Sequence, residues 1–248
     1  AEENYTLRDM VECLRSNKYL LIFFAAPLIS SLLNVGATWG LYIARYCLGG
    51  EEIASFVSMA VIVPTLIGAA IAVQLCKKYD KFKILYFSYM FALILGFVRY
   101  IAGYENMMVY VILNALGGFP LGIAVILQYQ FTPDCYEYGQ YKTGLKMRGV
   151  TFAAQTFFTK LNGAIATAVS VFALTLIGFK EGEGVIQAAG FADKLWTFSC
   201  LGSIIGGIST LLILRLYKLN DHDVQLMSKC NNGEITREEA EAQMINRY

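Results

Sequence analysis

Residues 150–179 read VTFAAQTFFTKLNGAIATAVSVFALTLIGF and are the most informative part of this chain. The run contains a single charged side chain, that of Lys160. A helix needs about 20 predominantly apolar residues to cross the hydrocarbon core of a bilayer, and this run is longer than that. Several polar side chains interrupt it, and lipid offers them no partner. The run therefore predicts a transmembrane helix with one face turned to a cavity or to other helices.

Five further apolar blocks accompany this run, at residues 19–44, 53–76, 84–102, 107–131 and 195–216. The chain of 248 residues is 56% hydrophobic and only 16% charged, and its mean hydropathy of +0.50 excludes most soluble folds. We predict an all-α integral membrane protein with six transmembrane helices. Three regions follow: a cytoplasmic segment at 1–18, a helical bundle at 19–217 and a tail at 218–248.

The distribution of Lys and Arg predicts the orientation of the bundle. With six spans, twelve of these residues lie near one side, whereas only Arg45, Lys180 and Lys194 lie near the other. Short loops rich in Lys and Arg stay in the cytoplasm during insertion, so both termini are predicted to be cytoplasmic. In the tail, Thr236 and Glu239 have the spacing of a capping box, which predicts one short helix there.

One face of the 150–179 helix is predicted to carry polar and small residues. At about 100° per residue, the face comprises Gln155, Thr156, Thr159, Lys160, Asn162 and Gly163. Lys160 lies roughly 15 Å into the span, too deep for its ammonium to reach the near surface easily. A charge at mid-membrane costs about 2.5–3.5 kcal/mol, which indicates either a functional cavity or a structural ion pair. Arg99 and Arg45 lie nearer the ends of their spans, where they are expected to extend to the membrane surface.

Residues 134–149 form a second polar motif, DCYEYGQYKTGLKMRG, between two apolar blocks. Its glycines permit turns, and its acids precede a basic cluster. Two interpretations stay open from the residues alone, an ordinary solvated loop and a functional one.

The pattern Asp-x-x-Glu-Tyr-Gly-x-Tyr-Lys-Thr-Gly, from Asp134 to Gly144, is followed by Gly149, Gln155, Thr156 and Lys160. This series resembles the glycoside-pentoside-hexuronide:cation symporters of the major facilitator superfamily. The resemblance implies a fold of twelve helices in two halves within a bacterial inner membrane. This chain would supply helices seven to twelve, and residues 1–18 would belong to the linker between the halves.

The resemblance also implies roles for particular residues. Gln155, Thr156 and Lys160 would border the sugar and cation sites, and Gln128 would face them from helix ten. With two more members of the polar face, the predicted substrate-binding set is Lys160, Thr156, Gln155, Gln128, Thr159 and Asn162. The loop motif is implied to control the cytoplasmic opening, and its candidate gate residues are Asp134, Glu137, Tyr138, Gly139, Lys142, Gly144 and Gly149.

The resemblance therefore implies sugar:cation symport by alternating access. The expected partners are a small sugar, membrane lipid, an N-terminal six-helix half and a coupling cation (Na⁺, H⁺ or Li⁺). The cation is expected to bind mainly to the N-terminal half, because no Asp or Glu lies within the six apolar blocks of this chain. A net charge of +1 gives no attraction for nucleic acid. No cofactor, metal site or catalytic residue is predicted. Two alternatives stay open: a membrane sensor or scaffold built on a transporter half, and an enzyme with Asp134 and Glu137 as its acid and base.

Overall fold

The computed structural model describes residues 7–182 and 185–248, and within these residues all regular secondary structure is helical. Its helices are α1 (Leu7–Ser16), α2 (Lys18–Leu33), α3 (Gly40–Cys47), α4 (Glu52–Leu75), α5 (Lys81–Ala102), α6 (Met107–Thr143), α7 (Arg148–Leu176), α8 (Phe191–Leu214), α9 (Asp221–Asn231) and α10 (Arg237–Gln243). Five of them, α4 to α8, are long and apolar enough to cross a membrane. The predicted class, an all-α multi-pass membrane protein, is confirmed.

The first apolar block does not form one continuous helix as predicted. It is divided into α2, of 16 residues, and α3, of 8 residues, by a turn at 34–39. The turn lies directly on α8, where a Cβ on Gly36 would come within 2.5 Å of the Ser199 Cα and a Cβ on Gly202 within 2.9 Å of the Val35 nitrogen. The Trp39 indole donates a hydrogen bond of 3.0 Å to the Ser170 carbonyl of α7. These contacts between distant segments hold the break in place.

Helices α4 and α6 pack closely along their length, because glycines let their backbones touch. A Cβ added to Gly122 would collide with the Thr65 carbonyl of α4 and lie 2.8 Å from the Ala69 nitrogen. On the same seam, a Cβ added to Gly118 would lie 2.7 Å from the Val61 carbonyl oxygen. The seam fixes the position of α6, which contributes to both cavities described below.

Helix α6 is longer than its apolar block predicted. It continues from 131 to Thr143, so the prediction of a loop over 134–149 is wrong for residues 134–143, and only 144–147 connects α6 to α7. Burial of Cys135 and Tyr138 in the core stabilises the extra turns. The helix ends at Gly144, whose φ of 74° is the left-handed conformation of a glycine C-cap.

The tail forms two helices where one was predicted. The capping box of Thr236 and Glu239 is present at the start of α10, which confirms that part of the prediction. Helix α9 packs against α6, and the ring of Tyr248 lies 5.9 Å from the ring of Tyr19, centre to centre. The tail thus covers one end of the bundle, which we call the tail end.

Two apolar clusters occupy the two ends of the bundle. The cluster at the tail end includes Phe23 of α2, and the cluster at the other end includes Trp39. Three residues that line the cavities described below lie between Phe23 and Trp39 along the chain: Ala26, Pro27 and Asn34.

Candidate functional site

A cavity of about 360 Å³ lies between α2, α5, α6, α7 and α8. We call it the inner cavity, and its volume falls within the usual range for a small-molecule site. Gln128 of α6 and Asn162 of α7, both predicted substrate-binding residues, line it. Pro27 of α2 and Pro120 of α6 line it as well. Proline interrupts the hydrogen bonding of a helix, so these walls have backbone carbonyls without a helical partner.

A second cavity of about 500 Å³ adjoins the first towards the end of the bundle opposite the tail. We call it the outer cavity. Four residues line both cavities: Tyr89, Ala92, Gly117 and Leu121. The polar lining of the outer cavity comes from Asn34, Arg99, Asn114 and Ser203. The two cavities therefore adjoin along the helix axes, and each has a mostly apolar lining with a few polar groups.

Asn162 is held at the inner cavity by α2, because its Oδ1 accepts a hydrogen bond of 2.7 Å from the Ser31 hydroxyl. Its amide nitrogen is left to contact a ligand. Gln155 lies two turns earlier on α7 and is buried, with its Nε2 forming no hydrogen bond to any described residue. An unpaired buried amide donor costs about 1–3 kcal/mol. Gln155 is not among the lining residues of the inner or the outer cavity.

The remaining predicted residues of α7 lie on its exposed face and outside the inner cavity. Thr156 and Thr159 donate their hydroxyl protons to carbonyls one turn back, those of Phe152 and Gln155. Lys160 is exposed and forms no hydrogen bond or ion pair within the described residues. The predicted polar face is thus divided, with Gln155 and Asn162 turned into this bundle and Thr156, Thr159 and Lys160 turned away from it.

At the tail end, Lys81 joins two carboxylates that are distant in sequence. Its Nζ lies 2.6 Å from the Asp134 Oδ2 and 3.3 Å from the Asp221 Oδ1. The Asp221 Oδ2 also accepts the Lys81 backbone N–H at 2.9 Å, and the Asp80 Oδ2 accepts the Asp221 N–H at 2.9 Å. We call this group the Lys81 network. It ties α5, α6 and α9 together.

Three more of the predicted gate residues have contacts beside this network. The Glu137 carboxylate accepts a hydrogen bond of 2.8 Å from the Asn231 amide of α9. The ring of Tyr138 meets that of Tyr19 edge to face, with 4.7 Å between ring centres. Gly139 leaves room for Asn17, whose Nδ2 donates to the Cys135 carbonyl at 2.6 Å.

The other predicted gate residues do not join these contacts. Lys142 is exposed, and Gly144 is the C-cap of α6. Gly149 lines a separate apolar groove with Leu14 and Phe157. The structure therefore brings together Asp134, Glu137, Tyr138 and Gly139 but leaves these three apart.

Asp223 of α9 holds the last residues of the tail through hydrogen bonds to its carboxylate. Burial alone would raise the pKa of this carboxyl group, but hydrogen bonds from the Ile245 and Asn246 backbone N–H groups and the Tyr248 hydroxyl lower the pKa below its ordinary value of 3.8. Asn220 adds a further bond of 2.7 Å. The charged carboxylate is therefore the form that holds the last residues of the tail.

Several residues of these sites were not found from the sequence. Lys81 and Asp221 are ordinary surface charges in sequence, and only folding places them beside Asp134. Arg99 carried a signal, because it is the only charged residue of the 84–102 block. Among the described residues, no group of three or more His, Cys, Asp and Glu side chains is placed to hold a metal ion.

Comparison with known proteins gives a consistent set of matches. A sequence profile of the family described as MFS/sugar transport protein matches residues 1–221. An uncharacterized symporter of Bacillus subtilis (strain 168) is 23% identical, over 89% of this chain and 48% of that protein. A putative sulfoquinovose importer of Escherichia coli (strain K12) is 22% identical over 95% and 51%, and a putative glycoside/cation symporter of the same organism is 24% identical over 88% and 48%. The chain spans about half the length of the curated relatives it matches.

Proposed function

The chain belongs to the MFS/sugar transport protein family, and we propose that it forms the C-terminal half of a sugar:cation symporter that works by alternating access. The family is one of transporters, and the chain is accordingly not an enzyme. The proposed complete protein is a multi-pass protein of a bacterial inner membrane with both ends of this half on the cytoplasmic side. The tail end would then face the cytoplasm.

The inner cavity is the observation that carries this proposal. It brings Gln128 of α6 and Asn162 of α7 to one cavity, and Asn162 is positioned by Ser31 of α2, a helix distant from both in sequence. Amide groups that can both donate and accept suit the hydroxyl groups of a sugar. Apolar walls from Phe23 and Leu85 would contact the faces of a sugar ring.

The exposed face of α7 supports a second half. Thr156, Thr159 and Lys160 point away from the bundle described here. A lysine left in lipid would be costly, whereas a second half packed across this face would enclose it in a polar cavity. Transporter sites commonly lie at such an interface between two repeats, near the middle of the membrane.

The substrate is proposed to be a glycoside, pentoside or hexuronide. Relatives named as a glycoside/cation symporter and a sulfoquinovose importer support this range. The coupling cation, Na⁺, H⁺ or Li⁺, is assigned to the N-terminal half, because no carboxylate of the described residues lines either cavity.

Cation-gradient-driven uptake of a panel of glycosides and uronates into vesicles tests the proposal, with this chain joined to its N-terminal half. Lys160→Ala is expected to abolish uptake, while Lys194→Ala, an exposed lysine on α8, leaves it unchanged. Both variants must first be shown to insert and to stay monodisperse in detergent. Absence of gradient-dependent uptake for every sugar would refute symport, as would full activity of Lys160→Ala.

A further inference from the structure

Arg99 is a half-buried arginine with few polar partners. One Nη donates to the Ser203 hydroxyl at 3.3 Å, and the Nε is buried with no hydrogen-bond partner among the described residues. No described carboxylate forms an ion pair with it. The guanidinium group has five N–H donors in a planar fork and lines the outer cavity. Contacts with Ser203 and the Cys200 side chain use part of this set, which leaves donors for a ligand.

The side chain points towards the middle of the bundle. The Tyr104 hydroxyl donates to Asp193 at 2.5 Å, and this pair marks the end of the bundle opposite the tail. Ser203 follows Asp193 by ten residues, which is about 15 Å along α8. The backbone of Arg99 lies only three residues before the end of α5 at Ala102. The guanidinium therefore extends away from the near surface, and the sequence prediction that it reaches that surface is wrong.

Ser203 presents its oxygen to Arg99 in a defined orientation. The Ser203 hydroxyl proton is donated to the Cys200 carbonyl at 3.0 Å, so a lone pair of the same oxygen is free to accept from the guanidinium. On the opposite wall, the Asn114 amide nitrogen donates to the Tyr110 carbonyl at 2.8 Å. The Ser203 contact thus places the charged group at the wall of the outer cavity.

A positive charge in this position needs an anion. Placing an arginine deep in a membrane protein is costly unless a cavity, water or an opposite charge receives it. No described carboxylate lines the outer or the inner cavity, and the outer cavity shares the lining residues Tyr89, Gly117 and Leu121 with the inner one. A ligand that spans the two adjoining cavities would therefore meet one cationic lining residue, Arg99, in the outer cavity.

We infer that Arg99 is a specificity-determining residue that binds the carboxylate or sulfonate of an acidic sugar in the outer cavity. The planar fork of the guanidinium matches the two oxygens of such a group, and a charge-assisted, bidentate contact is among the strongest polar contacts available in a protein. The sugar ring then extends towards Asn162 in the inner cavity. This inference rests on the proposed transport function and narrows its substrate class to anions.

Uptake of a matched pair of sugars tests the inference, again with the chain joined to its N-terminal half. Methyl glucuronide and methyl glucoside differ only in a carboxylate against a hydroxymethyl group, and a 6-sulfonated glucoside reports on sulfonates. Arg99→Gln is expected to lower kcat/KM for the anionic sugars by about 10- to 100-fold and to leave residual uptake of the glucoside within about 3-fold. Arg99→Lys, which keeps the charge without the fork, should give an intermediate loss. Arg45→Gln, an exposed arginine paired with Glu51, serves as the control and should change neither.

The outcomes separate this inference from the proposed function. Uptake of the glucoside with no uptake of either anion by the parent would overturn the anion site while leaving symport standing. Equal losses for charged and neutral sugars in Arg99→Gln would assign Arg99 a structural role and also overturn it. If Arg99→Gln fails to fold, Arg99→Lys decides: an unchanged preference for the anion over the glucoside contradicts a role for the fork. No uptake of any sugar would refute symport, and the inference falls with it.

Discussion

The glycine seam between α4 and α6 provides a sharp test of the packing. In Gly122→Ala the new methyl group would overlap the Thr65 carbonyl and lie 2.8 Å from the Ala69 nitrogen. Both atoms are backbone, so no side-chain rotation relieves the overlap and the helices must separate. Gly117→Ala, five residues earlier on the same helix, is the matched control, because nothing lies within 4 Å of an added Cβ there.

The two substitutions are expected to change the free energy of unfolding in opposite directions. Replacing a helical glycine by alanine stabilises a helix by about 0.5–1 kcal/mol where there is room, which is the expectation for Gly117→Ala. Overpacking costs about 1–3 kcal/mol or more, and the backbone overlap places Gly122→Ala at the upper end of that range. The net loss at Gly122 is therefore about 2 kcal/mol. For a chain of this size it corresponds to a fall of about 4–8 °C in the unfolding midpoint.

Thermal unfolding in detergent, followed by the loss of monodisperse protein on size exclusion, measures both variants beside the parent. Gly122→Ala should unfold at the lower temperature, and Gly117→Ala should unfold at or slightly above the midpoint of the parent. Equal midpoints for the two variants would contradict the close approach of α4 and α6. A stabilised Gly122→Ala would show that the seam has space for a methyl group.

Three further predictions follow from the other contacts. Lys81→Met leaves Asp134 and Asp221 without their cation and should lower the free energy of unfolding by at least about 2 kcal/mol, whereas Lys83→Met, on the exposed side of the same turn, should have little effect in the same denaturation assay. Asp223→Asn should release the tail and raise the rate at which a protease cleaves it by about 10- to 100-fold, since hydrogen bonds to a charged group are lost. The pKa of Asp223 in the folded protein lies below 3.8. The tail of the parent should therefore stay docked above pH 3.8 and be released as the pH falls through that folded pKa. A pH-independent cleavage rate in the parent would exclude this role. Asn162→Leu should reduce sugar uptake at least about 5-fold, because it removes an amide from the inner cavity. Thr175→Leu, at an exposed position of the same helix, should leave uptake unchanged. Unchanged uptake in Asn162→Leu would show that the sugar does not pass through the inner cavity.

The predicted site residues show where reasoning from the sequence stops. The polar face of α7 was found from its period, because that period depends only on local helix geometry. Whether a member of the face points into the bundle depends on the neighbours of α7, and Gln155 and Asn162 differ from Lys160 for that reason alone. Their roles in binding stay predictions.

Local composition was sufficient for the helical membrane class, for the bounds of α4 to within one residue and for the capping box of α10, since the length of an apolar run and the spacing of a cap are properties of neighbouring residues. The break between α2 and α3, the extension of α6 and the Lys81 network depend on contacts between distant segments. Lys81 meets a carboxylate 53 positions away and another 140 positions away. Packing and charge pairing across such distances depend on how the helices are arranged in space. A local sequence pattern does not predict that arrangement.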